Sequence, residues 1–301
     1  MFNGFSHSVM GASHVAKGIV CQDSSAHKIT DRYAVAVVAD GHGSKKHFRS
    51  NIGSQCAVEA TIETIERFYE DADDFEANFP KNHKRIIRNI ERQIVAVWNS
   101  KVMKHLEENP VTVVEKKPFK QEEFEAISPE SYYGTTLIAA VAGRGFSFGV
   151  QIGDGSMVGI FEDGEAVMPM DYEEANPANI TASICNTNAA SMFESFYVDD
   201  KRMIALYTST DGLYTSFGSE YDFRDYHVIV SSQLKNAEAL EASVLKNITK
   251  RSHFGTEDDI SFACVYDPEF AAEKADMLAE MVERNKKRAA ERKAKLHTAN
   301  F

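Results

Sequence analysis

One chemical pattern recurs along the sequence: an apolar run typical of a buried strand ends in Asp-Gly. The pattern occurs at Asp40-Gly41, Asp154-Gly155 and Asp211-Gly212. A further acidic pair, Asp258-Asp259, precedes the apolar run ISFACVY, and Asp23 lies near the N-terminus. Clustered carboxylates repel one another unless a cation compensates them, and all-oxygen ligands favour magnesium or manganese over zinc. Such a cluster has room for two ions, which together can activate a water and bind a phosphoryl group.

The position of each carboxylate relative to its strand constrains the sheet. Asp40, Asp154 and Asp211 follow their apolar runs, whereas Asp258 precedes its own. All four can meet at one edge only if the last strand runs opposite to the others, so we expect antiparallel sheets. Asp-Gly is also a common turn dipeptide, and we interpret Asp163-Gly164 in that way.

Hydrophobic periodicity supplies the elements that must hold these residues. Residues 1–40 are expected to be mainly β structure. The other predicted strands are Thr135–Ala142, Phe146–Ile152, Met157–Phe161, Glu165–Met168, Met203–Thr210 and Ile260–Tyr266, and the predicted helices are Ser50–Phe68, 83–106 and Ala237–Lys250. Residues 70–82 are expected to be irregular, and a long helix should run from about residue 269 to 297.

These elements predict one α+β domain followed by a tail. The domain spans residues 1–268, with a helical and loop insertion at about 70–131 and a flap at about 163–200. A charged helical tail follows over 269–301.

Composition excludes several classes of protein. The chain has 301 residues, with 33 Lys and Arg against 45 Asp and Glu, a net charge of −12. We therefore expect no nucleic-acid partner. No apolar run is long enough for a membrane span and no secretory signal is visible, so a cytoplasmic protein is predicted. The four cysteines stand far apart and are expected to be free thiols, and Cys21 is interpreted as a packing residue.

Five motifs in chain order resemble those of the type-2C, metal-dependent (PPM) Ser/Thr protein phosphatases, over about residues 5–267. They are Asp40-Gly41-His42-Gly43, Gly134-Thr135-Thr136-Leu137, Ile152-Gly153-Asp154-Gly155, Ser209-Thr210-Asp211-Gly212-Leu213 and Asp258-Asp259-Ile260-Ser261. The opening segment 11–23 resembles the bacterial branch of that family. The resemblance implies a four-layer α-β-β-α sandwich of two antiparallel sheets flanked by helices, here with a C-terminal helical extension.

The resemblance also implies a ligand set. Asp40 would bridge two metals, and the Gly41 carbonyl would bind the second. Asp211 and Asp258 would hold the first metal, and Asp154 together with Asp211 would hold a third, weaker one. Thr135 and Thr136 match a packing motif and receive no chemical role.

The N-terminal metal ligand is left open. The family often has Glu-Asp where this chain has Gln22-Asp23, so the ligand is either the neutral Gln22 side chain or Asp23.

Two further roles remain open in the same way. His42 matches a histidine proposed as general acid, or it fixes the loop structurally. The family often has an arginine that binds phosphate, but no arginine precedes Arg32. Lys17 is the nearest cation, and it binds phosphate or is an ordinary surface lysine. The same two alternatives apply to Lys45, Lys46 and His47.

The implied activity is hydrolysis of phosphoserine and phosphothreonine in proteins. A hydroxide that bridges two Mn²⁺ or Mg²⁺ ions would attack phosphorus directly. The partner would be a phosphorylated protein, either a Ser/Thr kinase or its target. Gln22 and the missing arginine favour an alternative, a non-catalytic phosphatase-like binding or regulatory module. Hydrolysis of a small phosphate ester is a third possibility.

Overall fold

Two five-stranded sheets form the centre of the protein in the computed structural model, which describes residues 1–170 and 181–299. The strands are β1 (Asn3–Val9), β2 (Ser24–Ile29), β3 (Ala34–Ala39), β4 (Leu137–Gly143), β5 (Phe146–Ile152), β6 (Ser156–Phe161), β7 (Ala166–Val167), β8 (Glu194–Val198), β9 (Met203–Ser209) and β10 (Ile260–Tyr266). The first sheet has the order β2-β3-β4-β5-β8, and the second has the order β1-β10-β9-β6-β7. Neighbouring strands are antiparallel throughout, as predicted.

Helices cover the outer faces of both sheets. They are α1 (Ala12–Lys17), α2 (Ser50–Phe68), α3 (Ala72–Glu108), α4 (Val113–Lys116), α5 (Gln121–Glu125), α6 (Asp211–Tyr214), α7 (Glu220–Ser231), α8 (Ala237–Phe254), α9 (Pro268–Glu273) and α10 (Ala275–Ala299). Helices α2 and α3 pack on the first sheet, and α7 and α8 pack on the second. The fold is therefore the four-layer α-β-β-α sandwich that the sequence predicted.

Strand β3 shows how the layers are joined. Every residue of its sequence AVAVVA is buried. Val35, Val37 and Ala39 contact the core under α2 and α3, whereas Ala34, Ala36 and Val38 belong to the core between the sheets. A strand buried on both faces is a continuous apolar run, because side chains alternate between two dry surfaces.

The structure corrects the boundaries of several predicted elements. Residues 70–82 are not irregular: α3 begins at Ala72, with Asp71 as its N-cap, and a kink at Asn82 separates its two halves. Helix α7 and strand β8 had not been predicted from the sequence. The predicted flap at 163–200 contains β7 and β8, but its residues 171–180 lie outside the described residues.

The C-terminal helices pack on the body of the protein. Phe270 and Ala271 of α9 and Leu278 and Met281 of α10 are buried in the core of the second sheet. Over the described ranges, no helix combines the length and the apolar character needed to cross a membrane.

Candidate metal centre

Asp40 is held at the end of β3 through its backbone. Its amide donates to Oγ1 of Thr136 at 3.0 Å, and its carbonyl accepts from the Thr136 amide at 2.8 Å. The hydroxyl of Thr135 donates to the same carbonyl at 2.7 Å. The two threonines, to which sequence analysis gave no role, therefore fix the direction in which the Asp40 side chain leaves the strand.

Gly41 allows a close approach of three backbone segments. A Cβ at this position would lie 2.6 Å from the Gln22 carbonyl oxygen and 2.7 Å from that of Ser50. No residue with a side chain fits there without a shift of the backbone, which explains why glycine follows Asp40.

Asp23 is buried beside the end of β9. Its Oδ2 accepts a hydrogen bond from the Thr210 hydroxyl at 2.7 Å. Gln22 is oriented differently, since its side-chain amide donates to Oγ of Ser50 at 2.7 Å. Its Oε1 lies near Gly43, at the mouth of the loop. Asp23 therefore lies among the other carboxylates, whereas the neutral Gln22 side chain is bound to Ser50.

The acidic pair at the start of β10 has two distinct roles. Asp258 is exposed and lines the cleft. Asp259 is buried, and its carboxylate accepts from the amides of Gly11 at 2.7 Å and Gln22 at 2.6 Å, while Nδ1 of His14 lies 2.9 Å away. Asp259 therefore ties the N-terminal segment to the second sheet and is not free to bind an ion.

Most of the predicted ligands meet in one cleft of about 460 Å³. Its predicted members are Lys17, Gln22, Asp23, Asp40, Gly41, His42, Asp154 and Asp258. Asp154 is exposed and accepts from the Thr181 hydroxyl at 2.8 Å. Asp211 begins α6 and is not among the residues that line the cleft, but it lies close enough to Asp40 for its charge to raise the pKa of that carboxyl group.

The buried carboxyl groups resist ionisation without a cation. Burial, and then the charges of neighbouring acids, raise the pKa of Asp23 well above its usual range. Burial followed by the charges of Asp23 and Asp211 does the same to the pKa of Asp40. Burial and the charge of Asp154 raise the pKa of Asp211. Binding of a cation between these carboxyl groups would favour their ionised forms.

The donor set therefore fits hard divalent ions. It consists of carboxylates and a backbone carbonyl, the oxygen ligands that magnesium and manganese prefer. Within residues 1–170 and 181–299, no three His, Cys, Asp or Glu side chains already stand in the arrangement of a metal site. The carboxylates share a cleft, but they do not form a ready-made ligand shell.

His42 is half-buried, lines the cleft and lies next to a second histidine. Its ring centroid lies 5.0 Å from that of His47. Burial, followed by the influence of His47, lowers the pKa of His42 to about 4. His47 itself bonds through Nδ1 to the Ser131 carbonyl, so its role is structural. Lys46 is exposed, and its charge also acts on His42.

Lys17 is the cation that the structure brings to the cleft. It lies exposed at the end of α1, on the wall that also carries His14. Lys45 is directed away from the cleft, to Glu123 at 2.6 Å. Burial raises the pKa of the Cys21 thiol, and the carboxylates of Asp259 and Asp23 act in the same direction. The raised pKa keeps the thiol protonated, which disfavours a nucleophilic role, and all four cysteines are free.

Sequence analysis missed the residues that position the ligands. Thr210 precedes Asp211 within a motif, and Asp259 follows Asp258, so both were visible as neighbours of ligands. Their partners, Asp23 and the Gly11–His14 turn, are more than 180 residues away along the chain. A local sequence pattern cannot indicate a contact between residues that far apart along the chain.

A family model described as protein phosphatase 2C matches residues 10–248. A comparison with curated proteins found no significant match. Among solved structures, the chain is similar to the Ser/Thr phosphatase Stp1 from Staphylococcus aureus, at a TM-score of 0.54 and 13% identity over 89% of this chain and 95% of that one. It is also similar to PppA from Pseudomonas aeruginosa (TM-score 0.52, 16% identity, 88% and 97% covered) and to the S. agalactiae serine/threonine phosphatase (0.53, 16%, 88% and 99%). These structures share the sandwich fold.

Proposed function

The chain belongs to the protein phosphatase 2C family of metal-dependent protein phosphatases, and on that premise we propose that it hydrolyses phosphoserine and phosphothreonine in proteins. The observation that carries the proposal is the convergence of Asp23, Asp40, Asp154 and Asp258 on one cleft. Two sheets and four separate chain segments contribute these carboxylates. Holding so many like charges close together is unfavourable unless cations bind between them.

The residues present could hold two Mn²⁺ or Mg²⁺ ions. Asp40 would be shared between them, with Asp211 and Asp258 on one side and the Gly41 carbonyl and Asp23 or Gln22 on the other. Asp154 and Asp211 would hold a third, weaker ion. When bound, such ions supply a nucleophilic water at neutral pH and neutralise charge on the phosphoryl oxygens.

The protein contributes positioning and proton transfer. Thr135 and Thr136 fix Asp40, and Thr210 fixes Asp23. His42 lines the cleft and could deliver a proton to the leaving alkoxide only in its protonated form, which its pKa of about 4 disfavours in the metal-free protein. Lys17 also lines the cleft, where it could bind a phosphate oxygen.

A non-catalytic phosphatase-like binding module is the second candidate. Gln22 favours it, because the amide is neutral and is already hydrogen-bonded to Ser50. The retained cluster of Asp40, Asp211 and Asp258 argues against it, since binding alone does not require so many crowded carboxylates.

Hydrolysis of p-nitrophenyl phosphate by the full chain, with EDTA, Mg²⁺ or Mn²⁺, separates these candidates. The proposal expects turnover that EDTA abolishes and that Mn²⁺ or Mg²⁺ restores. Phosphoserine and phosphothreonine peptides, compared with small phosphate esters such as glycerol phosphate, then identify the substrate class. Tight binding of a phosphopeptide with no turnover under any metal would support the binding module instead.

A further inference from the structure

The short helix α4, beside the loop that follows Asp40, is held in place by several hydrogen bonds. Arg49 is almost fully buried, and its guanidinium forms a two-point pair with Glu115 of α4, at 2.7 and 3.0 Å. The same guanidinium donates to the Asn109 carbonyl at 2.7 Å and to the Tyr133 hydroxyl at 2.9 Å. Thr112 and Glu115 also form a capping box. A buried, bidentate arginine pair gives a fixed geometry, so α4 is held in one orientation.

The segment that follows α4 contacts the loop that carries Asp40. The ammonium of Lys45 lies 4.6 Å above the Phe119 ring, donates to the Pro118 carbonyl at 3.1 Å and pairs with Glu123. Lys45 is five residues after Asp40, so their Cα atoms are at most about 18 Å apart. The insertion is therefore a neighbour of the candidate metal centre.

The residues displayed by this anchored turn are apolar and basic. Val113 and Val114 are 86% and 78% exposed. Lys116, Lys117 and Lys120 are also exposed, and none of them forms an ion pair with any residue in the described ranges. We call Val113, Val114, Lys116, Lys117 and Lys120 the α4 patch.

The charge of the α4 patch contrasts with that of the whole chain. The protein has a net charge of −12, yet residues 113–120 include three lysines. Glu115, the carboxylate within these residues, is paired with Arg49. The hydrogen bond from Arg49 lowers the pKa of Glu115 to about 2. Glu122 and Glu125 are exposed on the adjacent helix α5, outside the α4 patch. The valines and lysines together complement a segment with acidic and apolar side chains.

We propose that the α4 patch binds an acidic segment of the phosphoprotein substrate that also carries an apolar side chain. The inference rests on the proposed function, because the occupant is the substrate of the neighbouring cleft. It assigns substrate selection to the insertion, in addition to the cleft itself.

The geometry limits where the acidic segment lies. The Cα distance of at most about 18 Å from Asp40 to Lys45, a lysine side chain of about 6 Å and the 4.6 Å from its ammonium to Phe119 place the Phe119 ring, next to Lys120 of the patch, within about 30 Å of Asp40. An extended peptide advances about 3.3 Å per residue. The acidic residues should therefore lie within about nine residues of the phosphorylated side chain.

The test uses the full chain loaded with Mn²⁺ and two phosphoserine peptides. One peptide has three glutamates and a leucine five to nine residues from the phosphoserine, and in the other the glutamates are lysines. The variants are Lys117→Glu/Lys120→Glu and Val113→Ser/Val114→Ser. The control is Lys235→Glu/Lys246→Glu, which changes the same charge at exposed positions near or on α8. Circular dichroism checks that each variant is folded.

We expect kcat/KM for the acidic peptide to fall about tenfold in both patch variants. p-Nitrophenyl phosphate turnover should stay unchanged, and the control should behave as wild type. Fluorescence anisotropy with the unphosphorylated acidic peptide gives the same comparison without turnover, so a failure of the proposed function remains distinguishable.

Three results would overturn the docking proposal. The first is a wild-type protein that binds and hydrolyses both peptides equally. The second is a loss in the control as large as in the patch variants, which would indicate a general charge effect. The third is a change in oligomeric state on gel filtration with peptide binding intact, which would assign the patch to self-association.

Discussion

Thr210 donates a hydrogen bond of 2.7 Å to Asp23 across 187 residues of sequence. It fixes the Asp23 carboxyl group, whose pKa the charges of Asp259, Asp211 and Asp258 raise. Gln22, the adjacent residue, has its amide on Ser50 instead. The relationship favours Asp23 over Gln22 as the N-terminal ligand, and it gives a direct test.

Asp23→Asn should raise the manganese concentration for half-maximal activity strongly, by about tenfold or more, because it removes a charge from the ion site. Gln22→Glu should change that concentration little, because the side chain at position 22 contacts Ser50. Activity titrated with Mn²⁺ in wild type and both variants measures the two effects. A lower manganese requirement for Gln22→Glu, with little loss for Asp23→Asn, would contradict this assignment and make position 22 the ligand.

Asp40→Asn should separate stability from activity. Turnover should fall at least about a hundredfold, since a shared ligand is lost. The metal-free variant should nevertheless be more stable by about 1 kcal/mol, because one of several crowded, buried carboxyl groups has been neutralised. Urea unfolding with EDTA and with Mn²⁺ measures this. A variant that is less stable than wild type in EDTA would show that the carboxyl group has a structural role.

Truncation should have opposite results at two positions. A chain ending at Asp267 loses Phe270, Leu278 and Met281 from the core, at about 1.5–3 kcal/mol each, and should unfold or aggregate. A chain ending at Asn285 keeps them and loses the basic end, whose half-buried Arg292 pairs with Asp225 at 3.5 Å and lies over the Tyr221 ring. It should retain p-nitrophenyl phosphatase activity, and a folded but inactive 1–285 chain would place the basic end in the active site.

His227 should make the protein sensitive to mild acid. It is buried among aromatic side chains, which lowers its pKa to about 4. In the unfolded chain His227 has a pKa near 6.5. Between pH 6.5 and 4 it is therefore protonated in the unfolded chain and neutral in the folded one. Stability should therefore fall as the pH drops from about 6.5 to 4, by up to about 3 kcal/mol. Urea unfolding at pH 7.5 and 4.5 should show a smaller loss for His227→Gln than for wild type. Equal losses would contradict this origin.

The sequence predicted the parts of the fold that depend on long, uniform patterns. The antiparallel arrangement followed from the single fact that Asp258 precedes its strand whereas Asp40 and Asp211 follow theirs, and the pairing of β10 with β9 confirms it. Helix α7 was missed because Val228, Ile229 and Val230 have strand-like propensity. Burial of Phe223, Val228 and Val230 against the second sheet stabilises the helix instead.

The positioning contacts of the candidate site could not be predicted in the same way. Thr135 and Thr136 were visible as a motif, but their bonds to the backbone of Asp40 depend on the pairing of β3 with β4. The roles of Asp258 and Asp259 differ because alternate residues at a strand end face opposite directions. Adjacent letters in the sequence do not show which of the two is buried.

The pairing of β1 with β10, in which Asn3 faces Tyr266, has a consequence for protein synthesis. The first sheet uses only residues 24–198 and can form while the ribosome is still translating the rest. The second sheet is complete only after residue 266 has emerged, because β10 pairs with both β1 and β9, and Asp258 arrives with it. Since contacts between distant parts of a chain form late, we expect the two halves of the acidic cleft to come together late in folding. A chain that terminates before residue 258 therefore lacks one carboxylate of the cleft.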